Sequence, residues 1–258
     1  MISPSLTYDE YEALPGLRWS TLRHMGDSPR HCKHAERHDG DTASRVLLRA
    51  IHAGVLEGRQ DYIVYDGVRR GKSYDLFRDC HPGRTILSPS ESAKLDATVS
   101  AIRAHPVAAR LLSEGQPEVS VTWADFKARI DWLGRNYIVD LKTLGTTETG
   151  SVARTVALRQ HHGQMAHYLD GLRAHGRVID RAYLIVAEGD DAQDVAVFDL
   201  DDRALDVGLR LRDGYAARYR DCVTSGEWPG RHPEIAPLGL PEWGVPQDAQ
   251  GQEGSDNG

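Results

Sequence analysis

The chain has 258 residues, of which 40% are hydrophobic and 27% charged, a composition typical of a soluble protein with one well-buried core. It holds no apolar run of about 18 residues, lacks the basic and then apolar start of a signal peptide, and carries three scattered cysteines. We therefore expect a reduced, cytoplasmic protein with no membrane span and no four-cysteine iron–sulfur cluster. The net charge is −7, but residues 188–258 hold 16 acidic and 6 basic residues, which leaves +3 for residues 1–187, so a polyanionic partner would have to bind at local basic clusters.

The first 60 residues predict an arm and then a helix. Residues 1–16 are expected to form the arm. Thr42 is a suitable N-cap for a helix over residues 42–58, where apolar residues recur at helical spacing. His52 lies in the second half of this helix. A lone histidine on an apolar helix is more often a core residue than a ligand, so its role depends on its neighbours.

A β-hairpin is predicted next. The runs 126–133 and 137–141 are short, rich in apolar residues and separated by a Gly-Arg-Asn turn. A hairpin brings Asp131 and Asp140 together. Asp140 and Lys142 are two residues apart, so on a strand they point to the same face.

Two further residues belong to this region, one within the hairpin and one on the strand before it. Leu141, between Asp140 and Lys142, should point into the core. Glu118 begins the strand that precedes the hairpin; it could add a carboxylate to the group, or it could be a solvated strand start. Only two residues, 124–125, connect that strand to the hairpin.

The remaining elements follow from apolar periodicity. Helical spacing over residues 151–175 places Gln164 and Tyr168 on one face, four residues apart. The other predicted elements are a strand at 62–65, a helical stretch at 90–112, strands at 182–186 and 195–200, and a helix at 202–225. Residues 244–258, rich in Gly, Gln, Asp and Ser, should form a disordered tail.

These elements give the fold class α/β. They predict an αβββαβ core, a mixed central sheet flanked by helices, with the metal site at one edge of the sheet. Residues 17–243 form a single domain, and no internal repeat is present.

The residue types on the hairpin suit metal-assisted phosphodiester hydrolysis. Paired carboxylates bind a hard divalent cation such as Mg²⁺. A lysine beside the cation can orient or deprotonate the attacking water and offset charge in the transition state. An isolated Asp-x-Lys triplet is common by chance, so this interpretation depends on the other elements.

The order of the candidate residues resembles the PD-(D/E)xK nuclease superfamily, in its RecB-like branch, and is closest to the exonuclease domain of RecE (exodeoxyribonuclease VIII) and its phage relatives. The residues that carry the resemblance are His52, Asp131, Asp140-Leu141-Lys142, Gln164 and Tyr168. Three further segments are similar to motifs of that branch: residues 19–29, residues 66–72 with Arg69, Arg70 and Lys72, and residues 118–123. The resemblance covers residues 17–228 and implies the restriction-endonuclease-like fold.

The resemblance also implies roles. His52, Asp131, Asp140 and the Leu141 carbonyl would ligate Mg²⁺, with Mn²⁺ as a possible substitute, and Lys142 would handle the water. Gln164 and Tyr168 would support them, although Tyr168 could be a plain core tyrosine. Phosphate contacts are expected from Arg69, Arg70, Lys72, Arg154 and Arg159, any of which could instead be a solvated surface charge. No nucleotide cofactor is expected, because Gly71-Lys72 lacks the rest of a P-loop.

The implied activity is a bacterial or phage-encoded exonuclease that acts on linear duplex DNA from 5′ to 3′. It would leave 3′ overhangs for a single-strand annealing protein in recombination and repair, and it would act as a homo-oligomeric ring, a trimer or tetramer. Two alternatives stay open. One is a structure-specific or defence-type endonuclease of the same fold, and the other is an inactive DNA-binding module.

Overall fold

A six-stranded mixed sheet lies at the centre of the protein. The computed structural model describes residues 1–36, 42–189, 192–232 and 234–241, so the predicted tail over 244–258 lies outside the described residues. The strands, in chain order, are β1 (Ile2–Ser3), β2 (Tyr62–Val64), β3 (Thr85–Leu87), β4 (Gln116–Trp123), β5 (Phe126–Leu133), β6 (Tyr137–Leu144), β7 (Arg181–Glu188) and β8 (Val195–Asp199). The sheet order is β1-β4-β5-β6-β7-β8, with β6 and β7 parallel and the other neighbours antiparallel. The expected mixed sheet is thus confirmed.

Helices cover both faces of this sheet. They are α1 (Tyr8–Ala13), α2 (Trp19–Leu22), α3 (Pro29–Ala35), α4 (Ala43–His52), α5 (Lys72–Asp79), α6 (Pro89–Ala104), α7 (Pro106–Leu111), α8 (Thr149–Leu158), α9 (His161–Arg173) and α10 (Asp202–Ser225). A 3₁₀ turn (Arg23–Gly26) follows α2, and a π-helical turn (Ala53–Glu57) continues α4. As the sequence predicts, the Thr42 hydroxyl accepts a hydrogen bond from the Arg45 amide and caps α4.

Two apolar cores lie on opposite faces of the sheet. One packs α2, α3, α9 and α10 against β4, β5 and β7, and the other packs α4, α6 and α7 against β6, β7 and β8. On β7, Ala182, Leu184 and Val186 contribute to the first core, while Ile185 and Ala187 contribute to the second. A strand buried on both faces needs apolar residues at successive positions, which is the pattern of this run.

Two of the predicted helical segments each divide into two helices. The predicted helix over 90–112 divides into α6 and α7, because Pro106 cannot continue the α6 hydrogen-bond ladder and instead begins α7. The predicted helix over 151–175 divides into α8 and α9 at Gln160, which has a left-handed backbone with φ of 57°. The prediction of one helix over 151–175 was therefore wrong, whereas the helical stretch predicted over 90–112 consists of two helices.

A small second sheet precedes α6. Strands β2 and β3 pair in parallel, with α5 between them in the chain. The sequence predicted β2 but neither β3 nor α5. The α5 helix is eight residues long, and none of its residues is buried.

The first 16 residues, expected to form an arm, pack against the central sheet. β1 pairs with β4 through Ile2–Val121 and Ser3–Ser120. The buried ammonium of Lys127, on β5, donates hydrogen bonds to three carbonyls at and beyond the end of α1: those of Tyr11, Glu12 and Leu14.

No helix in the described part of the chain combines the length and apolarity that crossing a membrane requires.

Candidate active site

The central hairpin opens at the candidate site. β5 and β6 pair at Trp132–Val139 and Leu133–Ile138, and the ladder ends before the next pair, Asp131 and Asp140. The site therefore lies between two inner strands, and the expectation that it lies at an edge of the sheet was wrong.

A side chain completes the ladder where the strands part. The Leu141 amide donates to Asp131 Oδ2 at 2.8 Å, so a carboxylate accepts the bond that a strand carbonyl would normally take. This contact fixes the orientation of the Asp131 carboxylate. At the other end of the hairpin, the Gly134 amide donates to the Tyr137 carbonyl at 2.9 Å and closes the turn.

Three potential metal ligands meet beside Asp131. Ligand atoms of His52, Glu118 and Asp131 all lie within 4.8 Å of one another. His52 Nδ1 is 3.5 Å from Asp131 Oδ2, and the His52 ring also hydrogen-bonds to the backbone of Leu141. The last turn of α4 thus presents one nitrogen donor to the hairpin carboxylates.

The electrostatics of the group favour a bound cation. Burial, and then the nearby Asp140 carboxylate, raises the pKa of Asp131 to about 7. Burial and the Asp131 carboxylate also raise the pKa of Glu118, while burial lowers the pKa of His52 and favours its neutral form. Two crowded carboxylates and a neutral imidazole form a donor set that fits a divalent cation, which would offset the carboxylate repulsion.

Glu118 has an unusual backbone. Its φ is 53°, a left-handed conformation that is rare for a residue other than glycine, and the β4–β5 pairing is interrupted between Pro117–Trp132 and Val119–Ile130. Arg129 Nε donates to Glu118 Oε2 at 2.5 Å and holds the carboxylate in place. Strained backbone is often found at functional sites. No pattern in the sequence around Glu118 predicts this conformation.

Asp140 and Lys142 form a second group, as their two-residue spacing predicts. Asp140 is fully buried, and its Oδ2 lies 2.5 Å from Lys142 Nζ. The Gln164 amide connects the pair: its Nε2 donates to Asp140 Oδ1 at 3.0 Å, and its Oε1 accepts from Lys142 Nζ at 3.2 Å. Gln164 Nε2 also donates to Tyr168 Oη at 2.6 Å.

These contacts settle the orientation of the Gln164 side chain. A primary amide has two N–H donors and one carbonyl acceptor, and each has a partner here. Tyr168 is 6% exposed, and burial followed by the Asp140 carboxylate raises its pKa, so its hydroxyl stays protonated. The structure thus joins Gln164 and Tyr168 to the Asp140–Lys142 pair through hydrogen bonds.

Further basic residues lie near Lys142. Burial, followed by the charges of Lys142, Arg159 and Arg23, lowers the pKa of His161 to about 4, despite the opposing charge of Asp140. Burial and then Arg159 likewise lower the pKa of Arg23. We call Arg23, Arg159 and Lys142 the cation cluster; His161, whose lowered pKa favours its neutral form, lies beside them.

Two arginines of the cation cluster are not paired with a carboxylate in the part of the chain that the structure describes. Within the described ranges, neither Arg23 nor Arg159 forms a side-chain ion pair or hydrogen bond, and the buried His161 Nε2 also has no hydrogen-bond partner. Sequence reasoning proposed Arg159 but missed Arg23 and His161, because the contacts join distant parts of the chain.

The other predicted phosphate-binding residues lie away from the hairpin. The Arg69 guanidinium forms an ion pair with Glu91 at 2.7 Å and donates to the Ile86 carbonyl, so it fastens its loop to α6 and β3. Arg70 and Lys72 are exposed on that loop and at the start of α5, and Arg154 is exposed on α8.

A cleft of about 960 Å³ leads to the site. Its floor includes His52, Asp131 and Glu118, and Gln164 and Tyr168 also line it. One wall is α4 and the other is the N-terminal segment, residues 4–12.

A mixed sheet with helices on both faces, carrying an Asp and an Asp-x-Lys on adjacent inner strands, defines the class of PD-(D/E)xK nucleases. A family model confirms this class. Residues 20–237 match the model of a PDDEXK-like domain of unknown function, DUF3799, and the chain belongs to this family. No curated protein matches the chain.

Solved structures support the same fold. A "putative exonuclease" from Eubacterium rectale is 15% identical, with a TM-score of 0.63 over 92% of this chain and 96% of that one. A phage-related exonuclease from Haemophilus somnus is 13% identical, with a TM-score of 0.37 over 84% and 98% of the two chains. An alkaline exonuclease from Laribacter hongkongensis is 14% identical, with a TM-score of 0.32 over 69% and 95%. Only the first of these likenesses is high enough to support an argument, and it supports the fold.

Proposed function

We propose that the protein is a Mg²⁺-dependent deoxyribonuclease that degrades one strand of linear duplex DNA from an end. The observation that carries the proposal is the juxtaposition of two groups: the His52–Glu118–Asp131 group, which lines an open cleft, and the Asp140–Lys142–Gln164 group, of which Gln164 lines the same cleft. One group supplies donors for a divalent cation, and the other supplies a lysine held in place by two partners.

The metal would be held by His52, Asp131, Asp140 and the Leu141 carbonyl, with Glu118 as a further carboxylate. A divalent cation bound there polarises the phosphate and lowers the pKa of a bound water. The Asp131 carboxylate is already oriented by the Leu141 amide, and Arg129 holds Glu118, so these residues need little rearrangement.

Lys142 has the position of the residue that handles the attacking water. Its ammonium is anchored by Asp140 and by the Gln164 carbonyl, which leaves one N–H of the three for the water or a phosphate oxygen. Gln164 orients the Lys142 ammonium, and Tyr168 in turn holds the Gln164 amide. This arrangement places positive charge where negative charge develops in the transition state.

The cation cluster supports a polyanionic substrate. Arg159 lies close enough to Arg23 to lower the pKa of the Arg23 guanidinium, and a phosphate between the two side chains would relieve that repulsion. This cluster lies on the positively charged part of the chain, so the net charge of −7 is no obstacle to DNA binding.

The finer features of the proposal rest on the resemblance. They are 5′ to 3′ polarity, 3′ overhangs for a single-strand annealing protein, a role in recombination and repair, and a ring of three or four subunits. A ring that encloses the duplex would give processivity without base readout, which agrees with a site built from phosphate-binding chemistry.

A time course on linear duplex DNA with Mg²⁺ tests the proposal. The duplex carries a label at the 5′ or the 3′ end, and closed circular DNA is the control substrate. We expect prompt release of 5′ label as mononucleotides and an intact circle. Cutting of the circle would instead establish an endonuclease, and the absence of metal-dependent cleavage of either DNA would leave a binding module.

Three variants connect the cleavage to the site. Asp140→Ala should lose both metal binding and cleavage, whereas Lys142→Ala should lose cleavage and keep most of its metal binding. Asp206→Ala, an exposed aspartate on α10, is the matched control and should behave as the wild type. Full activity of the Asp140 or Lys142 variant would refute the assignment of the site.

A further inference from the structure

Arg59 is a cation in the cleft that has no part in the mechanism proposed above. It lines the same cleft as His52, Glu118 and Asp131, and its side chain is 55% exposed. The hydrogen bond to Glu57 raises the pKa of Arg59 most, and the nearby Glu118 carboxylate adds to the increase. Arg59 therefore places a positive charge beside the candidate metal ligands.

The backbone of Arg59 is fixed by the turn that follows His52. Gly58, which ends the π-helical turn, has a left-handed conformation with φ of 68°, and this lets the chain reverse its direction. The Arg59 amide then donates to the Ala53 carbonyl at 3.1 Å. Hydrogen-bonded backbone thus sets the position of Arg59 relative to His52.

Two carboxylates hold the Arg59 guanidinium. Nη2 donates to Glu57 Oε1 at 2.7 Å, and Nη1 lies 3.2 Å from Asp61 Oδ2. A guanidinium has five N–H donors, so one bond to each carboxylate leaves three for another anion. Exposed ion pairs contribute little to stability, but an arginine that is already oriented loses less rotamer freedom when it binds a phosphate. The arrangement therefore suits ligand binding better than it suits stabilisation of the fold.

We propose that Arg59 binds the backbone phosphate next to the scissile one, on the uncut side of the strand, a role that rests on the proposed nuclease function. Arg59 lies beside the group of three ligands and not within it, so a strand with one phosphate at the metal passes Arg59 with the next. Asp61 is 64% exposed and is the more distant partner, so the phosphate displaces Asp61 while Glu57 keeps the guanidinium in place. Because the contact is to a phosphate, it is independent of base sequence.

A second arginine in similar surroundings provides a matched control. Arg78, on α5, has a side chain that is 54% exposed, and its guanidinium lies 3.2 Å from Asp75 Oδ1 and 3.1 Å from Asp79 Oδ1. It is not among the residues that line the cleft. Arg59→Ala and Arg78→Ala therefore remove the same charge from the same kind of ion-pair arrangement, and they differ in whether that arrangement lies in the cleft.

The salt dependence of DNA binding tests the contact without any cleavage. A labelled duplex is titrated with protein at several salt concentrations with EDTA present, and binding is followed by fluorescence anisotropy. Arg59→Ala should weaken binding about tenfold and lower the slope of log K against log salt by about 0.9, the value for one lost phosphate contact. Arg78→Ala should change neither quantity. Arg59→Lys, which keeps the charge but not the planar fork, should keep the wild-type slope and lose part of the affinity.

Removing the competing carboxylate should have the opposite effect. Asp61→Asn leaves Arg59 bound to Glu57 alone, so DNA binding should tighten by about two- to fivefold, the strength of one exposed ion pair. Asp79→Asn changes the net charge equally and should leave the affinity close to that of the wild type. Asp61→Asn protein that binds no more tightly than Asp79→Asn protein would contradict the displacement of Asp61 by phosphate.

A neutral linkage in the DNA locates the contact. The second phosphodiester from the degraded end, which is the neighbour of the scissile one, is replaced by a methylphosphonate. The wild type should lose about tenfold in affinity on this DNA, and Arg59→Ala should lose little more than it has already lost. Equal further losses in the two proteins would overturn the assignment of this phosphate to Arg59.

The outcomes separate this inference from the function on which it rests. Wild-type protein that cleaves DNA, together with an Arg59→Ala protein of wild-type affinity and salt slope, would overturn the phosphate contact alone. Wild-type protein that neither binds nor cleaves DNA would overturn both. A loss of affinity and slope that is confined to Arg59→Ala, and that the methylphosphonate does not increase, would establish the contact.

Discussion

Replacing Lys127 with methionine should destabilise the protein by removing the anchor of α1. The lysine is 6% exposed, and its ammonium donates to the carbonyls of Tyr11, Glu12 and Leu14 at 3.2, 2.9 and 2.8 Å. A hydrogen bond with a charged donor contributes about 1.5–3 kcal/mol. Desolvation of the ammonium and ordering of the side chain offset several kcal/mol of that sum. Because methionine fills a similar volume, we expect a net loss of about 2–3 kcal/mol in the free energy of unfolding.

Urea denaturation followed by tryptophan fluorescence measures this loss. For a urea dependence of roughly 3 kcal/mol per molar, the midpoint should fall by about 1 M. Lys94→Met removes an exposed lysine from α6 and should change the free energy of unfolding by less than about 0.5 kcal/mol. A Lys127→Met protein as stable as the Lys94→Met protein would show that the three carbonyls are equally well satisfied by water, and would refute the anchoring role.

Four further predictions concern the candidate site. Gln164→Leu should lower kcat by about 100-fold, because Asp140 and Lys142 lose their shared partner, and an unchanged kcat on labelled duplex DNA would contradict this. Calorimetric Mg²⁺ affinity should weaken about tenfold per unit as the pH falls below 7, because the Asp131 carboxyl, with a pKa of about 7, must lose its proton before it binds metal. The raised pKa of Asp131 also affects stability. Between about pH 4 and 7 only the folded state keeps the Asp131 carboxyl protonated, so the free energy of unfolding of the metal-free protein should fall as the pH rises through this range. A free energy of unfolding that does not change with pH there would contradict this prediction. Glu118→Gln should weaken Mg²⁺ binding at least tenfold, and wild-type affinity would show that Glu118 is no ligand.

The sequence predicted the layers of the fold because their signals are local. The hairpin follows from two apolar runs around Gly134, and the start of α4 follows from Thr42. The division between α6 and α7 also has a local signal, Pro106. The apolar periodicity continues across this proline, however, so the pattern alone predicts an uninterrupted helical segment. The break at Gln160 had no such signal. Its left-handed backbone is accompanied by a hydrogen bond from its side chain to Tyr215, 55 residues away.

The candidate site likewise has one part that a local pattern predicts and another part that depends on tertiary contacts. The Asp140–Lys142 spacing is local, so the pattern alone predicts that the two side chains share a face, and they do. The partners around them are not local. Arg129 contacts the Leu6 carbonyl across 123 residues, and Arg23 reaches His161 only in the folded chain. Tertiary contacts of this kind leave no periodic trace in a sequence, which explains why the N-terminal wall of the cleft was not predicted.

The spread of the site along the chain also affects when activity can first arise during synthesis. His52 emerges early, but Gln164 follows 112 residues later. A ribosome that adds about 5–20 residues per second needs roughly 6–22 s to cover that distance. Throughout that interval the nascent chain lacks the amide that holds Asp140 and Lys142 together. Under the proposed function, a truncated product released before α9 is complete would therefore lack part of the candidate site.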